Sequence, residues 1–384
     1  MKIYKAYKLS NYFKLVFFLF TLCILFLFSE ENFSSAKNTI NIFFFSVMPS
    51  LFPFIFFTNV ILKTDIIDIL SNLFGKIFSK IFKVNRNCTS SIIIGFLCGF
   101  PMGAKSVISS FENGKITSKD TKILLSFINN CNPIFIISTI AINIFGSVKI
   151  GLILLISHII SAITLGIISS RYLNNNIIQE NNDFLKSLCK KNTIKNKKIE
   201  KDSFFEIVTN SILNTFVTLE IILGFMLIFN ILSNIIFDIL SNFNIPNTTI
   251  HILTAFFEVT NGCYSIGGQN INIYSKILII SFMIGFSGLC IIFQIYSVIY
   301  KYKFKITKLI KFKLLHGIIS IFITYILIKI IGIDEQNILS SFSNIDTFEN
   351  KISYNNLLIP YLTQTIGIIC ILVMYYVYKR KKYK

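Results

Sequence analysis

Long apolar runs alternate with short polar segments along the whole chain. The apolar runs cover residues 12–29, 39–62, 123–145, 150–170, 207–237, 276–300, 314–333 and 355–378. A helix needs roughly 20 apolar residues to cross the hydrocarbon core of a bilayer, and each run approaches or exceeds that length. The pattern therefore predicts an all-α polytopic membrane protein with about eight transmembrane helices.

One segment differs from these runs. Between Ile66 and Lys83 the apolar residues recur at helical spacing, and Lys76, Lys80 and Lys83 fall on the opposite face. Such a pattern is typical of an amphipathic helix that lies on the membrane surface.

Two further apolar segments, 90–116 and 247–272, are interrupted near their middle by helix-breaking or polar residues. Glycine frees the backbone, and proline removes a hydrogen-bond donor and ends the helix before it. A re-entrant hairpin, which enters and leaves the membrane on one side, explains each interruption. For the first segment a single span kinked by proline is the alternative. The interrupting residues are Gly99, Pro101, Gly103 and Lys105 in the first segment, and Glu258 and Gly262 in the second.

Two of the predicted spans are also broken. Span 123–145 contains Asn129, Asn130, Asn132 and Pro133, and span 276–300 contains Ser287 between two glycines. Irregular backbone at membrane depth is tolerated only where it faces protein or a water-filled cavity. We therefore expect a binding site at these breaks, although an internally satisfied helix kink would give the same pattern.

The chain divides into two halves with the same plan, a hairpin followed by a broken span. We predict an anchor span with an external loop (1–38), a first repeat (39–170), a cytoplasmic basic linker (171–206), a second repeat (207–300), and C-terminal spans with a basic tail (301–384). Opposite orientations of the two hairpins would make the halves inverted repeats, an organisation found in many secondary transporters.

The distribution of charge favours this arrangement. The chain carries 37 Lys and Arg residues against 18 Asp and Glu. With cytoplasmic N and C termini, most of the basic residues fall on the cytoplasmic side, as the positive-inside rule requires. This assignment places Lys301 to Lys313 in the cytoplasm and Lys276 outside, and it puts the two hairpins on opposite sides.

Composition excludes several classes of protein. The chain is 53% hydrophobic and 14% charged, and its basic residues lie between apolar runs rather than on one face, so nucleic-acid binding is not expected. The eight cysteines show no metal-ligand spacing and no disulfide framework. Metalloprotease, serine-hydrolase and P-loop motifs are absent from the sequence, so we predict neither an enzyme nor a bound cofactor.

Ionisable residues at predicted membrane depth are candidates for function. Lys105 and Glu258 both occupy hairpin breaks, where a charge is costly and usually functional. A structural ion pair or a snorkelling side chain is the alternative. The histidines His158, His251 and His316 lie on three separate segments, which favours packing roles over a proton relay.

Three motifs give the chain a family resemblance. The chain resembles the sporulation integral membrane protein YlbJ family at G-F-P-M-G-A-K (99–105), S-F-I-N-N-C-N-P (126–133) and F-F-E-V-T-N-G (256–262). That family belongs to the wider group with Gate, or nucleoside-recognition, domains, which is related to concentrative nucleoside transporters. The resemblance covers most of the chain from Pro49 to Gln294.

The resemblance implies a site and a function. In the related transporters two hairpin tips and two broken spans line the substrate site. A cation at the first tip favours a small anionic substrate, and the family implies movement of dipicolinic acid from the mother cell across the outer forespore membrane. A nucleoside or other small-anion permease and a non-transporting scaffold for cortex formation are the alternatives. A homo-oligomer, dimer or trimer, is compatible with the sequence. The implied substrate-binding residues are Gly99, Pro101, Gly103, Lys105, Asn129, Asn130, Asn132, Pro133, Glu258, Gly262 and Ser287.

Overall fold

The computed structural model of the protein describes residues 29–64, 66–176, 203–302 and 304–332, and all regular structure within these ranges is helical. In chain order the helices are α1 (Ser29–Leu62), α2 (Ile66–Phe82), α3 (Thr89–Leu97), α4 (Met102–Glu112), α5 (Ser118–Phe127), α6 (Phe135–Phe145), α7 (Val148–Asn176), α8 (Phe204–Ser241), α9 (Asn247–Ala255), α10 (Val259–Gly267), α11 (Ile273–Phe286), α12 (Gly288–Ile299) and α13 (Ile306–Ile331). The predicted spans 12–29 (apart from Ser29) and 355–378, the basic tail and most of the linker 171–206 lie outside the described residues.

Among the described residues, five helical segments are long and apolar enough to cross a membrane. They are Ser29–Leu62, Val148–Leu173, Phe204–Ser241, Ile273–Tyr302 and Ile306–Ile331. The predicted all-α membrane protein is therefore confirmed. The predicted span 123–145 is divided between α5 and α6, with non-helical residues between them, as its asparagines and proline indicate.

The first long helix begins earlier than the sequence analysis placed it. We expected an external loop up to residue 38 and a span from Thr39, but α1 is helical from Ser29 onward. Glu30 and Glu31 lie in its first turn, where negative side chains interact favourably with the helix dipole. Pro53 lies inside α1 without ending it. The loop prediction was wrong because a run of polar residues can still continue a helix.

The predicted amphipathic helix is present as α2. Its Phe82 is buried and stacks on Phe127 of α5, with ring centroids 4.5 Å apart. The apolar side chains of Leu73 and Ile77 are instead exposed, and Lys76 is exposed beside them. One face of α2 thus packs on the bundle, while a second, apolar face is left for lipid, as a membrane-surface helix requires.

Each interrupted segment forms a pair of short antiparallel helices. In the first hairpin Ser91 on α3 lies opposite Ser110 on α4, with their hydroxyl oxygens 3.4 Å apart. In the second, a Cβ built on Gly262 of α10 would lie 2.5 Å from the Cβ of Ala255 on α9. A single kinked span would hold Ser91 and Ser110 far apart, so their proximity favours a hairpin over a kinked span for the first segment.

The two hairpins open at opposite ends of the bundle. The open end of the first lies where Tyr302 donates a hydrogen bond to Glu112. The open end of the second lies where Gly267 approaches the side chain of Ile144. The candidate span Ile273–Tyr302 runs from the second of these ends to the first.

Helix α13 packs one face against both α11 and α7. A Cβ on Gly285 of α11 would lie 2.8 Å from the Cα of Gly317 of α13, so the two backbones nearly touch. The Ser281 hydroxyl also lies 2.8 Å from that of Ser320 and 2.6 Å from that of Thr324. Small residues and hydroxyl pairs are the usual means of close helix packing in membranes.

Candidate functional site

The tip of the first hairpin meets the break in the first interrupted span. The Phe100 N–H donates to the Asn130 carbonyl at 3.0 Å, and the Phe100–Pro101 peptide bond is cis. Gly99 has a φ of +73°, and a Cβ built there would lie 2.5 Å from the Asn130 carbonyl oxygen. A Cβ on Gly103 would likewise lie 2.8 Å from a carbonyl oxygen of the break. Only glycine fits such a close approach.

Two residues of this break start the helix that follows it. The Asn132 side-chain oxygen accepts from the backbone N–H groups of Ile134, at 2.8 Å, and Phe135, at 3.4 Å. Pro133 stands in the first turn, where its missing N–H has no helical partner to lose. Asn132 and Pro133 therefore position the break, and their side chains already have this structural role.

The other two asparagines of the break have polar atoms without protein partners. Asn129 and Asn130 are each 1% exposed. The Asn129 amide nitrogen donates to the Leu125 carbonyl at 3.2 Å, but its side-chain oxygen has no partner among the described residues. Neither polar atom of the Asn130 side chain has one there. Because an unpaired buried polar group costs about 1–3 kcal/mol, such atoms are typical of a site for water or a polar ligand.

The second half forms a corresponding junction. The backbone N–H groups of Leu289 and Cys290 donate to carbonyls in the tip of the second hairpin, at 2.8 and 2.9 Å. Ser287 and Gly288 have φ of +71° and +70°, which ends α11 and lets α12 start in a new direction. A serine in this region of backbone space is uncommon. The predicted break at Ser287 is therefore present and lies against the second hairpin.

Glu258 caps a helix in this junction. It is 2% exposed, and its two carboxylate oxygens accept from the backbone N–H groups of Thr260, at 3.0 Å, and Asn261, at 2.7 Å. A carboxylate at this position satisfies two N–H groups that the start of α10 leaves unpaired, and it opposes the positive end of the helix dipole. Gly262 lies one turn later, where α10 approaches α9. These contacts give both residues a structural role.

Lys313 joins the two breaks. Its ammonium group donates to the Asn129 carbonyl and, at 2.9 Å, to the Ser287 hydroxyl, and the side chain is 3% exposed. The described residues place no carboxylate in ion-pair contact with it. Within the described part of the chain, this lysine at the crossing of two broken helices is held by neutral oxygens alone. When protonated, it would place a buried positive charge there without an acidic partner from those residues.

The sequence analysis was wrong about Lys313. We placed it at the end of a cytoplasmic loop because it precedes the apolar run 314–333, but α13 begins at Ile306 and carries it inside. The signal was present in the spacing. Small and polar residues follow Lys313 along one face of the helix at intervals of three or four, which marks the buried face: His316, Gly317, Ser320 and Thr324.

Lys276 lies at the start of the second broken span, as the sequence analysis placed it. Its side chain is 9% exposed and its ammonium group donates to the Gly267 carbonyl at 2.7 Å. It belongs to the first turn of α11 and satisfies a carbonyl at the end of α10, where a positive charge is favourable.

Two histidines from different segments meet beside Lys313. The rings of His158 and His316 have centroids 4.6 Å apart, and each side chain is 1% exposed. The Cys131 N–H donates to His158 Nε2 at 3.0 Å. Since a backbone N–H can only donate, Nε2 accepts and His158 carries its proton on Nδ1, which has no partner among the described residues. Sequence spacing gave no indication of this pair.

Lys105 lies apart from the asparagines. Its ammonium group donates to the Thr218 hydroxyl of α8 at 2.7 Å, and the side chain is half-buried. The structure therefore brings the tip glycines, the asparagines of the first break and Ser287 to one centre, and adds Lys313 and His158 to them. It gives Lys105, the predicted cation of the first tip, a separate contact.

Within the described ranges, no group of three or more His, Cys, Asp or Glu side chains is close enough to hold a metal ion. The five cysteines described there are all buried and free.

Comparison with known proteins places these features in a family context. A family model described as "Gate: Nucleoside recognition" matches residues 44–151, which include the first hairpin and the first broken span. The chain is similar to the sporulation integral membrane protein YlbJ of Bacillus subtilis (strain 168), with 22% identity over 324 residues and 79% of each chain covered. No solved structure matches the chain. The two matches confirm the resemblance to the YlbJ family that the motifs indicate.

Proposed function

We propose that this integral membrane protein, which is similar to a sporulation membrane protein and contains a Gate-type region, is a secondary-transporter-like permease for a small anion. In this proposal its substrate is dipicolinic acid, which it moves from the mother cell across the outer forespore membrane. The permease works without ATP hydrolysis and without a covalent intermediate, and it is not an enzyme.

The observation that carries the proposal is the buried charge of Lys313. An isolated lysine at the centre of a membrane helix costs about 2.5–3.5 kcal/mol by insertion measurements, and such residues usually mark a substrate or ion pathway. A carboxylate of the substrate would supply the counter-charge that the described residues do not supply. The Asn130 amide N–H group and the Nδ1–H of His158 would then complete the donors of the site, while the side-chain oxygens of Asn129 and Asn130 would accept from water bound with the substrate.

This set of groups suits a planar aromatic dicarboxylate. Ammonium, amide N–H and imidazole N–H groups donate to carboxylate oxygens, while an N–H donor can also pair with a ring nitrogen. Charge-assisted hydrogen bonds of this kind are about twice as strong as neutral ones. Dipicolinate, with two carboxylates and one pyridine nitrogen, uses every donor of the set.

Alternating access follows from the same geometry as part of the proposal. The central groups are buried from both ends, so the described arrangement corresponds to an occluded form. Each hairpin tip is joined to its broken helix by a small number of backbone hydrogen bonds, worth about 0.5–1.5 kcal/mol each. Two re-entrant hairpins in inverted repeats would open the site to one side and then the other, with cytoplasmic chain termini setting the orientation.

Two other functions have specific support. The Gate match carries the description "Nucleoside recognition", which favours a nucleoside permease. The amide groups of Asn129 and Asn130 would suit a nucleobase, but the charge of Lys313 has no partner in a neutral nucleoside. A scaffold function is compatible with Glu258 and Asn132, because both act as helix caps.

Uptake by reconstituted protein distinguishes these functions. We expect proteoliposomes that contain the purified chain to accumulate radiolabelled dipicolinate above empty liposomes, and unlabelled dipicolinate to compete for this uptake. Uridine should compete weakly. Uridine uptake without dipicolinate uptake would support the nucleoside permease, and uptake of neither substrate by folded protein in either membrane orientation would support the scaffold.

A further inference from the structure

We infer that a second anion-binding site lies at the end of the bundle where the second hairpin opens, and that the substrate occupies it on its way to or from the centre. The inference rests on the proposed function for the identity of that substrate. A cavity of about 480 Å³ lies there between the end of α6, the end of α10 and the start of α11. Small-molecule sites are typically 300–1,000 Å³ in volume, so the cavity is large enough for a ring of this size.

Hydrogen bonds fix the polar wall of the cavity. The Tyr264 hydroxyl donates to the Thr139 carbonyl at 3.0 Å and accepts from the side-chain amide of Asn143, also at 3.0 Å. The Gln269 amide nitrogen donates to the Ser265 carbonyl at 3.4 Å. Side chains held in this way lose little conformational freedom when a ligand binds.

The charge of the wall favours an anion. Of the described residues that line the cavity, Lys276 is the one that carries a charge, and no Asp or Glu is among them. Its ammonium group is 2.7 Å from the Gly267 carbonyl, which fixes its position at the wall. The side-chain amides of Asn143, Gln269 and Asn270 also line the cavity, and their N–H groups can donate to carboxylate oxygens.

Helix α10 connects this cavity to the centre. Its first turn is capped by Glu258 at the second junction, and its last residue, Gly267, lines the cavity. The nine residues of the helix span about 13 Å at 1.5 Å per residue. A Cβ on Gly267 would lie 2.5 Å from Ile144 of α6, so α10 and α6 are in contact beside the cavity. Movement of the second hairpin would therefore alter the cavity and the junction together.

Protection from chemical labelling tests this site separately from the centre. The reporter is Asn270→Cys, because Asn270 is exposed and lines the cavity, and its labelling by a membrane-impermeant maleimide is measured against the parent chain. The protein is held in phosphatidylcholine nanodiscs, and the probe is dipicolinate. At ten times its Kd, dipicolinate should slow labelling about tenfold, since about one site in eleven stays empty.

The central and peripheral sites respond to different substitutions. Protection should persist when Lys313→Met is added to the reporter and should be lost when Lys276→Met is added, whereas Lys276→Arg should retain it. If Lys276→Met does not fold, Asn143→Ala takes its place in the test. This substitution changes the wall of the cavity without changing its charge, and it should weaken protection. Protection that is lost with Lys313→Met and retained with Lys276→Met would overturn the inference, because the signal would then come from the centre.

The same assay distinguishes a free carboxylate from a lipid headgroup. If nanodiscs that contain phosphatidylglycerol protect position 270 without dipicolinate, and dipicolinate adds nothing, the cavity holds an anionic lipid and the inference is wrong. Failure of the proposed function has another signature, namely no dipicolinate uptake above empty liposomes by the folded parent chain.

Discussion

The first and second junctions have similar backbone contacts but differ in the hydrogen bonds left to their side chains. In both, a hairpin tip and a broken helix are joined by backbone N–H groups that donate to carbonyls. In the second junction Glu258 uses both carboxylate oxygens and Ser287 accepts from Lys313. In the first, three polar atoms of Asn129 and Asn130 are without partners among the described residues. This difference underlies our proposal that the second junction serves to hold the fold and the first presents groups to a ligand.

Close backbone contact is the property that both hairpins share. Gly103→Ala and Gly262→Ala should each destabilise the protein by about 3 kcal/mol, because the added Cβ would meet neighbouring atoms at 2.8 and 2.5 Å. The measurement is the temperature at which the purified protein in detergent loses its monodisperse peak. Gly224→Ala is the matched control, since no atom lies within 4 Å of its Cβ, and it should be neutral or stabilising. Unchanged stability in both hairpin variants would contradict the close packing of the tips.

Loss of the second cap should be the next largest effect. Glu258→Ala removes the acceptor of two backbone N–H groups at the start of α10 and should cost about 2 kcal/mol of stability, the upper range for helix caps. Glu258→Gln keeps one oxygen, and its stability should lie between those of Glu258→Ala and the wild type. The temperature at which each purified protein loses its monodisperse peak measures this stability. A stable Glu258→Ala protein that binds dipicolinate weakly would show that the second junction also presents ligand groups.

The first junction should show the reverse behaviour. Asn130→Ala removes no protein hydrogen bond of the side chain, so stability should change little, while dipicolinate affinity should fall about tenfold, or 1.4 kcal/mol. Asn132→Ala is the matched control from the same break, because its side chain caps α6. That variant should lose about 1 kcal/mol of stability. Calorimetric titration of dipicolinate measures the affinity, and equal affinity losses in both variants would remove the distinction between them.

Lys105 should give the smallest effect. Its ammonium group donates to Thr218 of α8 and not to the asparagines, so Lys105→Met should reduce dipicolinate affinity less than about threefold, within the range of a neutral interfacial contact. A loss as large as that of Asn130→Ala would return Lys105 to the anion site that the sequence analysis assigned to it.

The sequence indicated the elements well and their assembly less well. Glycine, proline and asparagine located both hairpins and both breaks, since these residues have local effects on the backbone. Helical periodicity located the surface helix α2 in the same way. Glu258 and Asn132 were identified as important, but their cap geometry depends on side-chain rotamers that a sequence does not specify.

The central groups depend on contacts between distant segments. Lys313 lies beside other lysines in the sequence, and the positive-inside rule assigns all of them to the cytoplasm because it counts charges without their burial. The packing of α13 against α7 and α11 buries Lys313 and leaves Lys308 and Lys311 exposed, and the sequence alone does not show this difference. The pairing of His158 with His316 has the same origin, since 158 residues separate them along the chain.

The most direct test of the central claim is the dipicolinate content of spores whose only copy of the protein carries Lys313→Met, with the protein level checked by immunoblot. Truncating one member of a buried charge interaction costs about 2–5 kcal/mol, so we expect at least tenfold depletion of dipicolinate in the spores, with dipicolinate retained in the mother cell. Lys313→Arg should preserve part of the content, because it keeps the charge. Normal dipicolinate in spores that contain the Lys313→Met protein would contradict an anion site at the crossing of the two breaks.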